Sequence, residues 1–285
     1  MTLGFGSKGH EHEHEDPNLV LAQLNEQLSP KLKQALINTD AISRPEDEAH
    51  VQSVLKRFLV ADKFDVERTL LRLEKHAAWR QQNVPKGGIP ETSVLDQINQ
   101  HKVLLQPKGP DGRPLLIIRV ARHFATTTTG CETFVTFCLE AASRLCDTAP
   151  VGDGKLLALF DLQGAKWANM DRHALSSCFS ILEREFPERI HKIFMYDAPT
   201  IFDLLWKIVS PFVDPHTRKK VAFIQGLEPF LNVVDKSIVP EVYGGVCEEV
   251  AVEVAVRRMH GSREEVEKVI IEDKDIPAAV LEVGA

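Results

Sequence analysis

The sequence predicts an α/β fold, with an N-terminal helical subdomain followed by a mainly parallel sheet flanked by helices. Three observations point there. Residues 19–105 carry apolar positions at helical spacing. From about residue 107 the pattern changes to short, continuous apolar runs, which is how strands covered on both faces read. Those runs alternate with helical stretches, and strand–helix–strand alternation leads to right-handed crossovers and parallel pairing.

In the first part, "SPKLKQALINTD" opens a helix with a Ser N-cap and a following Pro. "RPEDEAHVQSVLKRFLVAD" places acids in its first turn and cations later, as the helix dipole favours, and Val51, Val54, Leu55, Phe58 and Leu59 share one face. "DVERTLLRLEKHAAWRQQN" begins at an Asp65 N-cap and spaces Leu70, Leu73, Ala77 and Trp79 toward a core, before "VPKGGIP" breaks the chain. In the second part, "PKGPDGRP" is a turn by its Pro and Gly content. Strands are expected at 115–120, 155–164, 192–198 and 220–226, with helices at 132–147 and 171–186 between them. After Gly245, valines at 250, 252, 254 and 256 alternate as in a strand, with a helix as the other reading. The expected division is a disordered leader at 1–17, a helical subdomain at 18–105, a sheet domain at 106–246 and a C-terminal extension at 247–285.

The chain has 285 residues, 44% hydrophobic and 26% charged, with a formal net charge of −7. That balance speaks against a nucleic-acid binder, which needs a basic surface. It also speaks against docking to anionic membranes by bulk charge. No apolar run reaches the roughly 18 residues of a spanning helix. The N-terminal stretch lacks the apolar core of a secretory signal, Thr2 is incompatible with N-myristoylation, and "LEVGA" with prenylation. Five cysteines without CxxC spacing read as reduced thiols of a cytosolic protein. "HEHEHE" offers metal ligands, but on a tail that would hold them weakly, so no functional metal site is expected.

Catalytic signatures do not stand out. There is no Gly-x-Gly-x-x-Gly after a strand, no P-loop and no Gly-x-Ser-x-Gly elbow. His123, His173, His191 and His216 are scattered, and Asp161, after a strand, reads as a cap. The unusual segment is 200–213. Ile201, Phe202, Leu204, Leu205, Trp206, Ile208, Val209, Phe212 and Val213 cover most of a helix circumference. Breakers on both sides, Pro199 and "PFVDP", let it swing as a unit. An apolar lid of that kind suits an oily ligand. A two-chain lipid carries about 30 methylenes, and moving it bare through water costs on the order of 20 kcal/mol, so a carrier needs a closed apolar cavity with a door.

Several stretches together resemble the CRAL-TRIO family of lipid-transfer proteins. "LKRFLVADKFDVERTLLRLEKHAAWRQQN" is similar to its helical entry module, and "DGRPLLIIR", "FDLQG", "FPERIHKIFMYDAP", "VSPFVDPHTRKKVAFI" and "VPEVYGG" follow in the family's order, from about 46 to 245. The resemblance implies a hydrophobic lipid pocket closed by a gate helix at 200–213, with Leu116, Leu156, Ala158, Phe202, Leu205, Trp206, Val209 and Phe212 as pocket and gate residues. Likeness to the phosphatidylinositol transfer proteins of the secretory pathway implies a headgroup set of Lys63, Glu188, Arg189, Thr217 and Lys220. Asp62 stands where those relatives carry Arg, and Leu116, Leu156 and Ala158 stand where they place hydroxyls for phosphatidylcholine. The implied protein is a soluble, non-enzymatic, monomeric lipid carrier in the cytoplasm. It would touch membranes transiently, need no cofactor other than its lipid, and pass phosphatidylinositol between membranes or to a lipid kinase. A carrier of a sterol, a tocopherol- or carotenoid-like compound or a fatty acyl lipid is the alternative. An enzyme or redox-cofactor reading would need a reactive side chain in the pocket, for which Cys178 and Tyr196 are the candidates.

Overall fold

The computed structural model describes residues 16–124, 130–148 and 152–260. The His/Glu-rich leader up to residue 15, and the C-terminal extension beyond 260, lie outside the described residues. The chain divides into two compact units, Met1–Arg80 and Gln81–Ala285.

The first unit is helical: α1 (Pro17–Gln27), α2 (Pro30–Asn38), α3 (Glu48–Ala61) and α4 (Val66–Asn83), the last ending just past the division. Caps fix the starts. Ser29 Oγ accepts from Leu32 N–H at 3.2 Å, Asp47 Oδ1 from His50 N–H at 3.1 Å, and Asp65 Oδ1 from Arg68 N–H at 3.0 Å. Leu24, Leu36, Leu55, Leu59 and Leu73 form its core. Helix α3 ends in a Schellman motif: Phe64 N–H returns to Leu59 O and Lys63 N–H to Val60 O. Lys63 and Phe64 both take left-handed backbone, with φ of 57° and 64°. Asp62, the residue that departs from the relatives' Arg, is buried. Its Oδ1 pairs with Arg68 Nε at 3.2 Å and Arg72 Nη1 at 3.3 Å. The substituted anion therefore ties α3 to α4 and does not face solvent.

The second unit holds a five-stranded sheet in the order β1 (Val103–Lys108), β2 (Pro114–Arg119), β3 (Leu156–Asp161), β4 (Ile190–Tyr196), β5 (Val221–Ile224). β1 runs antiparallel to β2, and the other pairs are parallel. The short helix α5 (Leu95–Ile98) leads into β1, α6 (Cys131–Asp147) joins β2 to β3, and α7 (Arg172–Glu185) joins β3 to β4. Helices α8 (Thr200–Val209) and α9 (Pro215–Lys219) join β4 to β5, and α10 (Glu228–Leu231) and α11 (Val252–His260) follow.

Two elements differ from the sequence reading. β1 reads as helical subdomain running into a turn because "VLLQPK" contains Pro107, which has no N–H for a ladder. Its register shifts between Gln106 and Lys108, a bulge at the sheet edge where proline is tolerated. The alternating valines after Gly245 split. Val250 O accepts from Leu105 N–H and Ala251 bridges Leu104, but from Val252 the chain is helical. Burial of Val252, Glu253 and Ala255 on one face, and the Arg257–Glu91 pair at 2.7 Å, override the β propensity of valine.

Candidate functional site

Strand parity sorts the sheet's side chains. Leu115, Ile117, Leu157, Leu159, Phe194 and Tyr196 turn to one face, where Phe230, Val234, Ile238 and Tyr243 cover them in a continuous core. Leu116, Ile118, Ala158, Phe160 and Ile193 turn to the other, which encloses a cavity. Helix α6 supplies Phe134 and Cys138 to its wall, α7 supplies Leu175, Cys178 and Phe179, and α8 supplies Phe202 and Leu205. The centre of a water-sized sphere has about 130 Å³ to move in, roughly ten times what one water needs. With walls this apolar, the space suits hydrocarbon rather than water.

Of the pocket and gate residues named from sequence, Leu116, Ala158, Phe202 and Leu205 line the cavity. Leu156 does not. It is fully buried beside the β3–β4 register shift, at the start of its strand. Trp206 seals α8 against its neighbours, 5.6 Å from Phe179 and 5.8 Å from Phe223 between ring centroids. Val209 is buried outside the lining, and Phe212 points outward with 79% of its surface exposed. Leu204 and Ile208 are exposed as well, so α8 is apolar on both its inner and outer sides. Beyond its end, Asp214 N–H donates to Glu183 Oε1 at 2.8 Å. Tyr196 belongs to the solid face, whereas Cys178 lines the cavity, where burial pushes its thiol up to about 12. Burial also raises Cys138 and Cys131, so all three cavity thiols stay protonated and weakly reactive.

A charged cluster sits at the N-terminal edge of three adjacent parallel strands. Lys155 precedes β3, Glu188 and Arg189 precede β4, and Lys220 precedes β5. Glu188, in left-handed backbone (φ 56°), offers one oxygen, Oε2, to both Lys155 Nζ and Lys220 Nζ, each at 3.4 Å. His216 Nε2 lies 3.7 Å from Oε1. These separations exceed the usual 2.7–2.9 Å of a charge-assisted bond, and two ammonium groups share one carboxylate. Two cations therefore meet one anion at this edge.

Thr217 lies in α9, one turn before Lys220. Arg189 is placed differently. Its guanidinium is buried in a bidentate pair with Asp147 at 2.8 and 2.5 Å, and it also donates to Gly154 O at 2.9 Å. It anchors the end of α6, where Asp147 lies. Lys63 is exposed at its turn in the first unit. Lys155 was missed from sequence, since a lone lysine after "GDG" reads as a solvated loop cation.

The opposite, C-terminal edge carries a second polar group, at the inner end of the cavity. Lys102, only 4% exposed, donates from Nζ to Gln97 Oε1 at 2.5 Å and Gln100 Oε1 at 2.9 Å, with His123 Nδ1 at 2.8 Å. His123 Nε2 in turn lies 3.3 Å from Asp171 Oδ2. Asn169 Nδ2 fixes the loop by donating to Ala121 O at 3.1 Å and His123 O at 2.9 Å. Burial pushes the Lys102 ammonium down to about 8. Burial, then the Lys102 charge, hold His123 below its ordinary value, so its ring is neutral, accepting at Nδ1 and donating from Nε2. Burial pushes Asp171 up, but the Ala174 N–H and His123 outweigh it and hold the carboxyl below the usual range.

A mainly parallel sheet with a hollow, hydrocarbon-lined face covered by α6, α7 and α8 defines an α/β protein built around an apolar cavity. The CRAL/TRIO domain profile matches residues 98–245, more than half of the chain, and the chain belongs to that family. It is 26% identical to phosphatidylinositol transfer protein CSR1 of Eremothecium gossypii, over 68% of this chain and 47% of that protein. It is 27% identical to protein real-time of Drosophila melanogaster, over 80% of this chain and 37% of that one. With phosphatidylinositol/phosphatidylcholine transfer protein SFH14 of Arabidopsis thaliana the figure is 26%, over 80% and 42%. The chain thus spans less than half the length of these curated relatives. Among solved structures, the crystal structure of Sfh5 superimposes with a TM-score of 0.60 at 16% identity, covering 90% of this chain and 99% of that one, which establishes the shared fold. Among the described residues no helix is long and apolar enough to cross a membrane.

Proposed function

We propose that this chain binds a phospholipid, phosphatidylinositol foremost, in the cavity behind α8 and exchanges it between membranes or presents it to a lipid kinase. The observation that carries the reading is the pairing of an apolar chamber with a cation-rich cluster, Lys155, Glu188 and Lys220, at one edge of the same sheet. Acyl chains fill the chamber. The inositol phosphate meets the two ammonium groups, Thr217 adds a hydroxyl donor, and Glu188 accepts from inositol hydroxyls. Arg189 leaves this set because Asp147 already engages its guanidinium. Names of relatives that include phosphatidylinositol transfer support the assignment. The walls at Leu116 and Ala158 carry no hydroxyl, so phosphatidylcholine is not the ligand proposed.

Release needs the door to open. The outward Leu204, Ile208 and Phe212 give α8 a bilayer-facing side, so the helix exchanges one apolar environment for another as it swings. The reading places the protein in the cytoplasm, as a monomer that visits membrane surfaces and acts by binding and exchange, with no bond made or broken and no cofactor beyond the lipid.

The test is vesicle-to-vesicle transfer of labelled phosphatidylinositol by wild type and Lys220→Ala. Loss of a charged hydrogen bond is worth about 1.5–3 kcal/mol, so transfer falls about 10- to 100-fold while thermal unfolding is unchanged. Unchanged transfer removes the headgroup assignment.

A further inference from the structure

The inner end of the cavity holds chemistry that a phosphoinositide bound at the opposite edge does not use. Lys102 is a buried cation on the wall of an apolar chamber, and its contacts are two amide oxygens, an imidazole and the Phe134 ring, whose centroid lies 5.3 Å from Nζ. Among the described residues no carboxylate pairs with it directly, and Asp171 is reached only through His123. A buried ammonium ordinarily takes a carboxylate partner. Of its three hydrogen-bond acceptors, only His123 also lines the cavity, whereas Gln97 and Gln100 lie behind it. The His123 contact is therefore the one that a ligand oxygen entering along the chamber replaces. The two glutamine bonds would keep the ammonium aimed at the chamber, and Asp171 would keep the imidazole in place. In the rest of the lining at this end, Val103, Val120, Phe134 and Leu175 are apolar, Asn169 Nδ2 is taken by Ala121 O and His123 O, and Asp171 is taken by His123 and the Ala174 N–H.

We propose that the cavity takes a single-chain amphiphile head first, with a carboxylate bound to Lys102 at the inner end and the hydrocarbon tail lying along β2 and β3 toward α8. This rests on the same hollow face as the phospholipid reading but on a different pole of it. Both a fatty acid and an isoprenoid acid supply the required head, and chain shape distinguishes them.

The delipidated full chain is titrated calorimetrically with oleate, methyl oleate and retinoate. Oleate binds at least 10-fold tighter than methyl oleate, and Lys102→Met brings oleate down to the affinity of the ester. Tight binding of retinoate with the same Lys102 dependence shows that the head sets the preference. Binding of oleate alone identifies a fatty acid as the fitting source. Equal affinity for acid and ester overturns the proposal, as does binding of neither or a preference that survives in Lys102→Met. The wild-type acid-to-ester ratio decides the matter even where the variant does not fold. Phosphatidylinositol transfer is measured on the same preparation. Transfer without an acid preference overturns this inference alone, and an acid preference without transfer overturns only the phosphatidylinositol reading.

Discussion

The two faces of the sheet are made from the same strands and differ in one respect. On one face, Leu115, Leu157, Leu159 and Phe194 are packed solid, with the Phe194 and Phe230 rings edge to face at 5.3 Å between centroids. On the other, Leu116, Ala158 and Ile193 line the cavity. Alternate residues of a single strand thus have opposite surroundings, one set in a solid core and the other on the wall of a cavity. Odd and even positions along β2 and β3 separate the two.

The largest effect expected is on the solid face. Phe230→Ala destabilises by about 3–5 kcal/mol in urea unfolding, because it opens a void in a close-packed core. Leu116→Ala on the hollow face costs about 2 kcal/mol or less, since its side chain already borders space. Equal losses at the two sites would erase the distinction between the faces.

Next in size is a pH effect at the hollow face's inner end. The folded chain releases the Lys102 proton at about 8, whereas the unfolded chain holds it to 10.5. Between those values the unfolded state binds more protons, so stability rises with pH. Relative to Lys102→Met, wild type gains on the order of 3 kcal/mol from pH 7 to 10.5. A difference that stays flat or falls over that range contradicts the buried ammonium.

The smallest effect belongs to the first unit. Lys63 occupies the left-handed position of a Schellman cap, where glycine is the usual residue. Lys63→Gly stabilises by about 1 kcal/mol in urea unfolding, because glycine takes this backbone without strain. A loss of stability in that variant contradicts the cap.

Much of this arrangement was legible beforehand because it is written in local patterns. Continuous apolar runs locate β2 to β5, caps locate α2 to α4, and flanking prolines delimit α8. The family resemblance is what pairs Glu188 with Lys220, and each of the two precedes a strand of one sheet. Lys155 and Lys102 escaped because their roles come from neighbours remote in sequence: Glu188 lies 33 residues from Lys155, and His123 lies 21 from Lys102. No pattern around "HKV" or "GKL" marks either one. Arg189 entered the headgroup set through the family resemblance, and its pairing with Asp147, 42 residues away, is again a contact that no local pattern carries. The edge strand β1 was hidden by its proline, and α11 by valines whose helical state depends on what they pack against.

The strands occur in simple sequential order, with α6, α7 and α8 all on the hollow side, so the cover for the other side, residues 227–243, comes after the last strand. A ribosome that has released the chain through Ile224 has produced all five strands with one greasy surface still bare. Covering of that face during synthesis therefore waits for about twenty further residues, and any chaperone that shields the nascent chain has that surface to hold.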